Sequence, residues 1–212
     1  DKILQRAVAM ILENIYEQDF LDCSYGFRPA RSAHGALDAL WRQCMGMKVE
    51  TVLDLDMRKF FDTSGKARLR ELLRHRVRDG VITRLIGKWL NAGVMEQGKL
   101  SYSEAGVPQG GSICPLLSNV YLHYVLDEWF AYEVRPRLKK RAFMVRFADD
   151  VLMGFESAED AKRVLEVLPK RLGRFDLSVH PDKTRLVEFS RPKGKGGKGA
   201  GTFDFLGFTH YW

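Results

Sequence analysis

The sequence predicts an α+β fold whose centre is an antiparallel sheet of the ferredoxin-like, split βαβ kind with helices on one face. Three observations lead there. VETVLDLDMRKFF, residues 49–61, alternates side chains with the period of a strand. AFMVRFADDVLMGF, residues 142–155, sets two short apolar runs around an acidic pair, the pattern of a hairpin. Helical spacing fills the intervals, so the order from Thr51 onward is strand, helices, strand, strand, helix, strand.

The elements follow in order. Leu4, Val8, Ile11, Leu12 and Ile15 recur at helical spacing, and so do Ala33, Ala36, Leu37, Leu40, Trp41 and Cys44. Between them CSYGFRPARS breaks the helix and forms a loop carrying Arg28 and Arg31. The first strand places Val52, Asp54, Asp56 and Arg58 on one face and Leu53, Leu55 and Met57 on the other. Leu69, Leu72, Leu73 and Val77 make a short helix stopped at Asp79-Gly80, and Val81 to Leu90 make the next, ending near Gly93. The glycine-rich GVPQGGS leads through Pro115 into a long amphipathic helix from about Leu116 to Ala131. After the acidic hairpin, Ser157 with Glu159 and Asp160 starts a helix through Val164, Leu165, Leu168 and Leu172. LSVHPDKTRLVEFS and TFDFLGFTHYW read as closing strands, separated by the Lys/Gly tract RPKGKGGKGAG.

With 212 residues, 45% hydrophobic and 29% charged, the chain suits one compact domain or two small lobes sharing a core. No apolar run approaches the roughly 20 residues that span a bilayer, so a membrane partner is not expected and an intracellular setting is. The three cysteines are far apart, which argues against a disulfide framework or a zinc site. The five histidines show no ligand spacing either. A net charge of +7 favours a polyanionic partner, and the charge is clustered: residues 66–88 hold eight Lys or Arg against Glu71 and Asp79. Arg135, Arg137, Lys139, Lys140 and Arg141 form a second cluster.

Acids on a strand and at a tight hairpin cost several kcal/mol each when buried unless something neutralises them. Here Asp54 or Asp56 lies on one strand, and Asp149 and Asp150 lie on the hairpin. In a split βαβ sheet the first strand and the hairpin are neighbours, so these carboxylates can converge. Oxygen ligands from separate strands suit Mg²⁺, and two such ions about 3.5–4 Å apart clamp both oxygens of an in-line phosphoryl transfer. An Asp-Asp pair in a turn is otherwise an ordinary solvated turn, but FMVRF and VLMGF would bury much of this one. Spacing alone does not choose between Asp54 and Asp56.

Six blocks in order, YGFRPARSAH, LDLDMRKFFD, GVPQGGSICPLLSNVYLH, FADD, HPDKT and FLGF, resemble those of bacterial group II intron-encoded reverse transcriptases and maturases. The resemblance implies a right-hand polymerase fragment with fingers over 1–48 and 64–108 and palm over 49–63 and 109–212. It implies an RNA-directed DNA polymerase that uses two Mg²⁺ ions, with Mn²⁺ as a substitute, to join a dNTP to a primer 3′-hydroxyl. Asp56, Asp149 and Asp150 become the metal ligands, and Lys183 the proton donor to the leaving pyrophosphate. Phe61 becomes the gate against a 2′-hydroxyl, Gln109 and Met57 contacts of the incoming nucleotide, and Arg28 and Lys2 basic residues near the triphosphate. Phe205, Leu206, Gly207 and Phe208 become the primer grip. The implied partners are an RNA template, a DNA or RNA primer and intron RNA, and the implied setting is the bacterial cytoplasm.

The chain departs from the family at TSGKARL, residues 63–69, where an acidic or Asn residue and a His are usual. Cys114 replaces a usual Ser, and Phe147 a common Tyr. The sequence begins inside the first finger block and stops after the grip, so a thumb or maturase domain is expected to lie outside it. The competing readings are a non-catalytic RNA-binding module and an RNA-templated RNA polymerase. The intact acids oppose the first, and Phe61 the second.

Overall fold

A computed structural model of the chain describes residues 2–58, 65–91, 94–96, 99–101, 111–192 and 201–212. Phe61 and Gln109 lie outside the described residues.

Helix α1, Lys2–Tyr16, buries Val8, Ala9, Leu12 and Tyr16. Helix α2, Ala33–Gly46, begins where the Ser32 hydroxyl accepts the Gly35 N–H at 3.1 Å, and it buries Ala36, Leu40 and Cys44. Strands β1, Thr51–Leu55, and β2, Met57–Arg58, are separated only by Asp56. Helices α3, Lys66–Leu73, and α4, Gly80–Asn91, follow. The Asp79 carboxylate accepts the Val81 and Ile82 N–H groups at 2.7 and 2.9 Å, so the expected stop signal also opens the next helix. A small ribbon of β3, Val94–Glu96, and β4, Lys99–Ser101, was not anticipated.

Helix α5, Cys114–Leu122, is buried from Leu116 through Leu122, so it is a central core helix and not the amphipathic one expected. It continues as π-helical turns at His123–Asp127 and Trp129–Val134 and a 3₁₀ turn at Arg135–Arg137. Strands β5, Ala142–Phe147, and β6, Asp150–Phe155, form the hairpin. Helix α6, Ala158–Gly173, has Ser157 as its cap, acids in its first turn and Lys170 and Arg171 in its last, which suits the helix dipole. Strands β7, Ser178–Val179, β8, Arg185–Glu188, β9, Phe203–Phe205, and β10, Phe208–His210, complete the chain.

The main sheet has the order β5-β6-β1-β8, each neighbour antiparallel. That is the predicted split βαβ arrangement. Leu53, Leu55, Met144, Val151 and Met153 face a core shared with α5 and α6, and α1, α3 and α4 bury Leu12, Leu73 and Ile86 in the same cluster. The opposite face is not bare, as helices on one face alone would leave it. Val52, Val145 and Leu152 pack there against Ala36 and Leu40 of α2 and Phe203 and Phe205 of β9.

TFDFLGFTHYW therefore does not close the main sheet as a strand: among the described residues β9 and β10 pair only with each other. The reason lies in the side chains. Phe203 and Phe205 alternate toward the sheet's apolar face, so the ribbon gains more by lying across that face than by extending the edge. Among the described residues no helix is long and apolar enough to cross a membrane.

Candidate active site

The register of β1 against β6 pairs Asp54 with Leu152 and Leu55 with Val151. One step further, Asp56 comes opposite Asp150. With a strand period of two, Asp54, Asp56 and Asp150 share one face at the end of the sheet. Their electrostatics agree. Asp150 reaches solvent, yet partial loss of hydration and then the like charges of Asp149, Asp56 and Asp54 push its carboxyl above the ordinary value. Asp54 is raised by burial, opposed by Arg185, and raised further by Asp56 and by Asp204 of β9.

Asp56 is held from behind. The Thr184 hydroxyl lies 3.1 Å from both its N–H and its carbonyl, and the His180 N–H donates to that carbonyl at 2.9 Å. This is the structural work of HPDKT: the loop docks on the β1–β2 junction and delivers Lys183, whose Nζ is 3.5 Å from the Asp56 carboxylate. Arg185, two residues on, meets Asp54 at 3.3 Å. The two acids that spacing could not separate thus carry different cations, and the largely exposed Lys183 remains available to an anionic ligand.

The hairpin tip places Ala148 and Asp149 between the paired Phe147 and Asp150. Ala148 adopts φ 56°, a left-handed conformation that costs a residue with a side chain about 1–2 kcal/mol. At the other tight turn Leu206 and Gly207 both have positive φ, the signature of a type I′ hairpin. Phe205 is buried beneath it, while Phe208 is exposed at the far side of the turn.

Two of the expected nucleotide contacts, Arg28 and Met57, are engaged within the fold. Arg28 is not a free finger cation: its guanidinium is buried, bonded to Glu17 at 2.6 Å and to the Leu21 and Ser24 carbonyls at 2.7 and 2.8 Å. Those bonds consume its donors and make it the internal tie of the 17–28 segment. Met57 packs its side chain into the core, leaving only its main chain for a nucleotide. Lys2 is exposed at the start of α1, and among the described residues no contact joins it to the acids. Sequence reading missed Arg185, Thr184 and Asp204, whose nearness to the acids arises from pairing between distant segments.

The basic run of residues 66–88 also gains a shape. Arg70, Arg74, Arg84, Lys88, Thr83 and Asn91 line a cleft of about 560 Å³ between α3 and α4, and among the described residues its lining holds no acid. None of these four cations is ion-paired among the described residues. A cleft of this kind suits phosphate groups.

Among the described residues no three His, Cys, Asp or Glu side chains are grouped closely enough to hold a metal ion by themselves. Mg²⁺ asks less, since it binds through one or two carboxylates and takes water and substrate phosphates for the rest. Mutually repelling carboxylates at one sheet end fit that requirement. Because the folded carboxyls of Asp54 and Asp150 hold protons more tightly than the ordinary value of 3.8, their repulsion is absent below that pH and sets in as pH rises through the elevated values. Mn²⁺ should therefore raise the melting temperature at pH 7, by about 2.7 kcal/mol at a hundredfold excess over Kd, or roughly 5–10 °C. The gain should shrink toward pH 4. Thermal melts with and without Mn²⁺ at both pH values check this, and equal responses would remove the acids as its source.

The sequence profile described as reverse transcriptase (RNA-dependent DNA polymerase) matches residues 1–210. The group II intron-encoded protein LtrA of Lactococcus lactis subsp. cremoris is 34% identical over 201 residues, covering 90% of this chain and 33% of that protein. Protein YkfC of Escherichia coli is 40% identical over 222 residues, covering 88% of this chain and 57% of that protein. The chain thus spans between a third and three-fifths of the length of these relatives. Among solved structures, apo telomerase from Candida tropicalis, truncated from its C-terminal domain, superposes with a TM-score of 0.69 at 15% identity, covering 98% of this chain and 43% of that one. At that identity the likeness concerns the fold alone. Joined to a split βαβ sheet that gathers acids at one end, the match across residues 1–210 shows that the chain belongs to the reverse transcriptase (RNA-dependent DNA polymerase) family.

Proposed function

We propose that the chain is the fingers and palm of an RNA-directed DNA polymerase of the group II intron-encoded type, extending a primer 3′-hydroxyl with dNTPs on an RNA template. The observation that carries this is that Asp56, at the β1–β2 junction and beside Lys183, lies at the same sheet end as Asp150 of the hairpin, whose carboxyl is raised by burial and then by the like charges of Asp149, Asp56 and Asp54. On this reading the fingers are residues 1–48 and 64–108 and the palm is 49–63 and 109–212. The setting is the bacterial cytoplasm, and intron RNA is a further partner. The relatives and the cationic cleft support these assignments.

Asp56, Asp149 and Asp150 would hold two Mg²⁺ ions, which when bound lower the pKa of the attacking hydroxyl and offset charge on the phosphates. The chain's own groups do the rest. Thr184 and the His180 N–H hold the Asp56 main chain in place. Lys183 exchanges its bond to Asp56 for the triphosphate and places an ammonium where pyrophosphate leaves, able to give it a proton. The exposed Phe208, on the ribbon that also brings Asp204 toward the acids, offers an aromatic face to the primer strand. Phe61 excludes a 2′-hydroxyl, and Gln109 lies against the incoming nucleotide.

Primer extension by the full-length protein on an RNA template, with dNTPs and with NTPs, tests the proposal. DNA synthesis with strong preference for dNTPs is the expected result. RNA binding without any extension would leave a non-catalytic RNA-binding module instead.

A further inference from the structure

Beneath the acidic hairpin lies a charged network that no step above uses. Arg146, on β5 two residues before the turn, and Asp127, on the π-helical continuation of α5, have side chains with 0% exposure. All five guanidinium N–H donors are taken. Nε and Nη2 reach the two Asp127 oxygens at 2.8 and 2.6 Å, and Nη2 also reaches the Ser24 hydroxyl at 2.8 Å. Nη1 donates to the Asn119 side-chain oxygen and to the Ala148 carbonyl, both at 2.9 Å. Asn119 in turn donates to the Gly26 carbonyl at 2.7 Å. The Arg146 main chain pairs with Cys23 and Tyr25 at 2.7 and 2.8 Å.

We infer that Arg146, supported by Asp127 and Asn119, is a positioning residue that fixes the Ala148 peptide and so aims the carboxylates of Asp149 and Asp150 at their shared site. The bond to the Ala148 carbonyl is the reason. That carbonyl belongs to the residue in left-handed conformation, and its orientation sets the peptide plane from which Asp149 departs. Left alone, the turn would relax toward unstrained conformations. A planar fork anchored on a buried carboxylate and a side-chain amide holds it in one, while an ammonium in the same place cannot satisfy the five directions at once. A buried ion pair is weak support for stability, since apolar replacements of similar volume are often neutral or stabilising. Geometry at the turn is the function this one serves.

The inference rests on the proposed polymerase reading, and the test keeps the two apart by measuring metal binding without turnover. Mn²⁺ titration followed by electron paramagnetic resonance is applied to the full-length protein, to the double variant R146M/D127L and to Asn119→Ala, beside single-turnover extension and thermal melts. The double variant exchanges the pair for apolar side chains and should melt near the unmodified protein. Its Mn²⁺ Kd should rise about tenfold or more, and kcat should fall about 100-fold for a displacement near 1 Å, with KM for primer–template unchanged. Asn119→Ala should move the same quantities in the same direction by less. If the double variant does not fold, Asn119→Ala decides, and if neither folds the network is structural and the inference fails. Folded variants with unaltered Mn²⁺ affinity overturn it as well. Absence of extension by the unmodified protein would refute the polymerase reading alone, because Mn²⁺ affinity still judges the positioning claim.

Discussion

Asp56→Asn in the full-length protein is expected to lower single-turnover primer extension by about 10³-fold or more. A metal ligand supplies several kcal/mol of transition-state stabilisation, and each 1.36 kcal/mol is tenfold in rate. Stability should move little, and upward if at all. The bond lost is a 3.5 Å contact with the largely exposed Lys183, which solvent screens, while the repulsion felt by Asp54 and Asp150 is relieved. Activity and melting temperature should therefore part company. Asp54→Asn is the control. Its carboxylate is engaged by Arg185, so the expected loss is that of a supporting group, about 10–100-fold. The two assignments would have to be exchanged if Asp54→Asn proved the more damaging in the same assay.

The second large effect is expected from a methyl group. A Cβ added at Gly26 would lie 2.3 Å from the Ala148 nitrogen and 3.0 Å from the Phe147 carbonyl carbon. Both are backbone atoms, so no side chain can swing aside, and either the 23–26 loop or the hairpin must retreat by roughly 1 Å to reach ordinary contact near 3.4 Å. The hairpin bears Asp149 and Asp150, and a displacement of that size costs about 100-fold in rate. Overpacking should also remove about 1–3 kcal/mol of stability, or roughly 2–12 °C in melting temperature for a chain of this size. Gly46→Ala, where nothing lies within 4 Å of the added carbon, should leave both quantities close to their original values. Extension rates and melts of the two variants make the comparison. Unimpaired extension by Gly26→Ala would show that the hairpin tolerates displacement.

Much of the architecture was legible because local signals and global topology agreed. The alternation of β1, the hairpin and the Ser157 cap each specified an element without reference to the rest of the chain, and their order left the split βαβ sheet as the natural arrangement. Periodicity failed where context overrode it. The segment after Pro115 is apolar on nearly all sides because elements pack around it, a fact that lies outside the segment itself. The closing ribbon reads as two strands either way; whether it extends an edge or crosses a face depends on what that face offers Phe203 and Phe205.

The sequence by itself determined the kind of chemistry: carboxylates on a strand and on a hairpin, the motif blocks, the cationic run and the lysine of HPDKT are all present in the order of residues. The tertiary structure decided which charges meet. Arg28 and Arg146 look alike in sequence as loop or strand arginines near a motif. One is tied to Glu17 and to the carbonyls of its own loop, and the other is wholly buried under the hairpin with Asp127. Asp54 and Asp56 are told apart by their cations, Arg185 reaching the first and Lys183 the second. Such pairings depend on segments up to 131 residues apart coming within about 3 Å, and electrostatic coupling falls with distance and with exposure to water. Spacing along the chain fixes neither quantity, and packing fixes both.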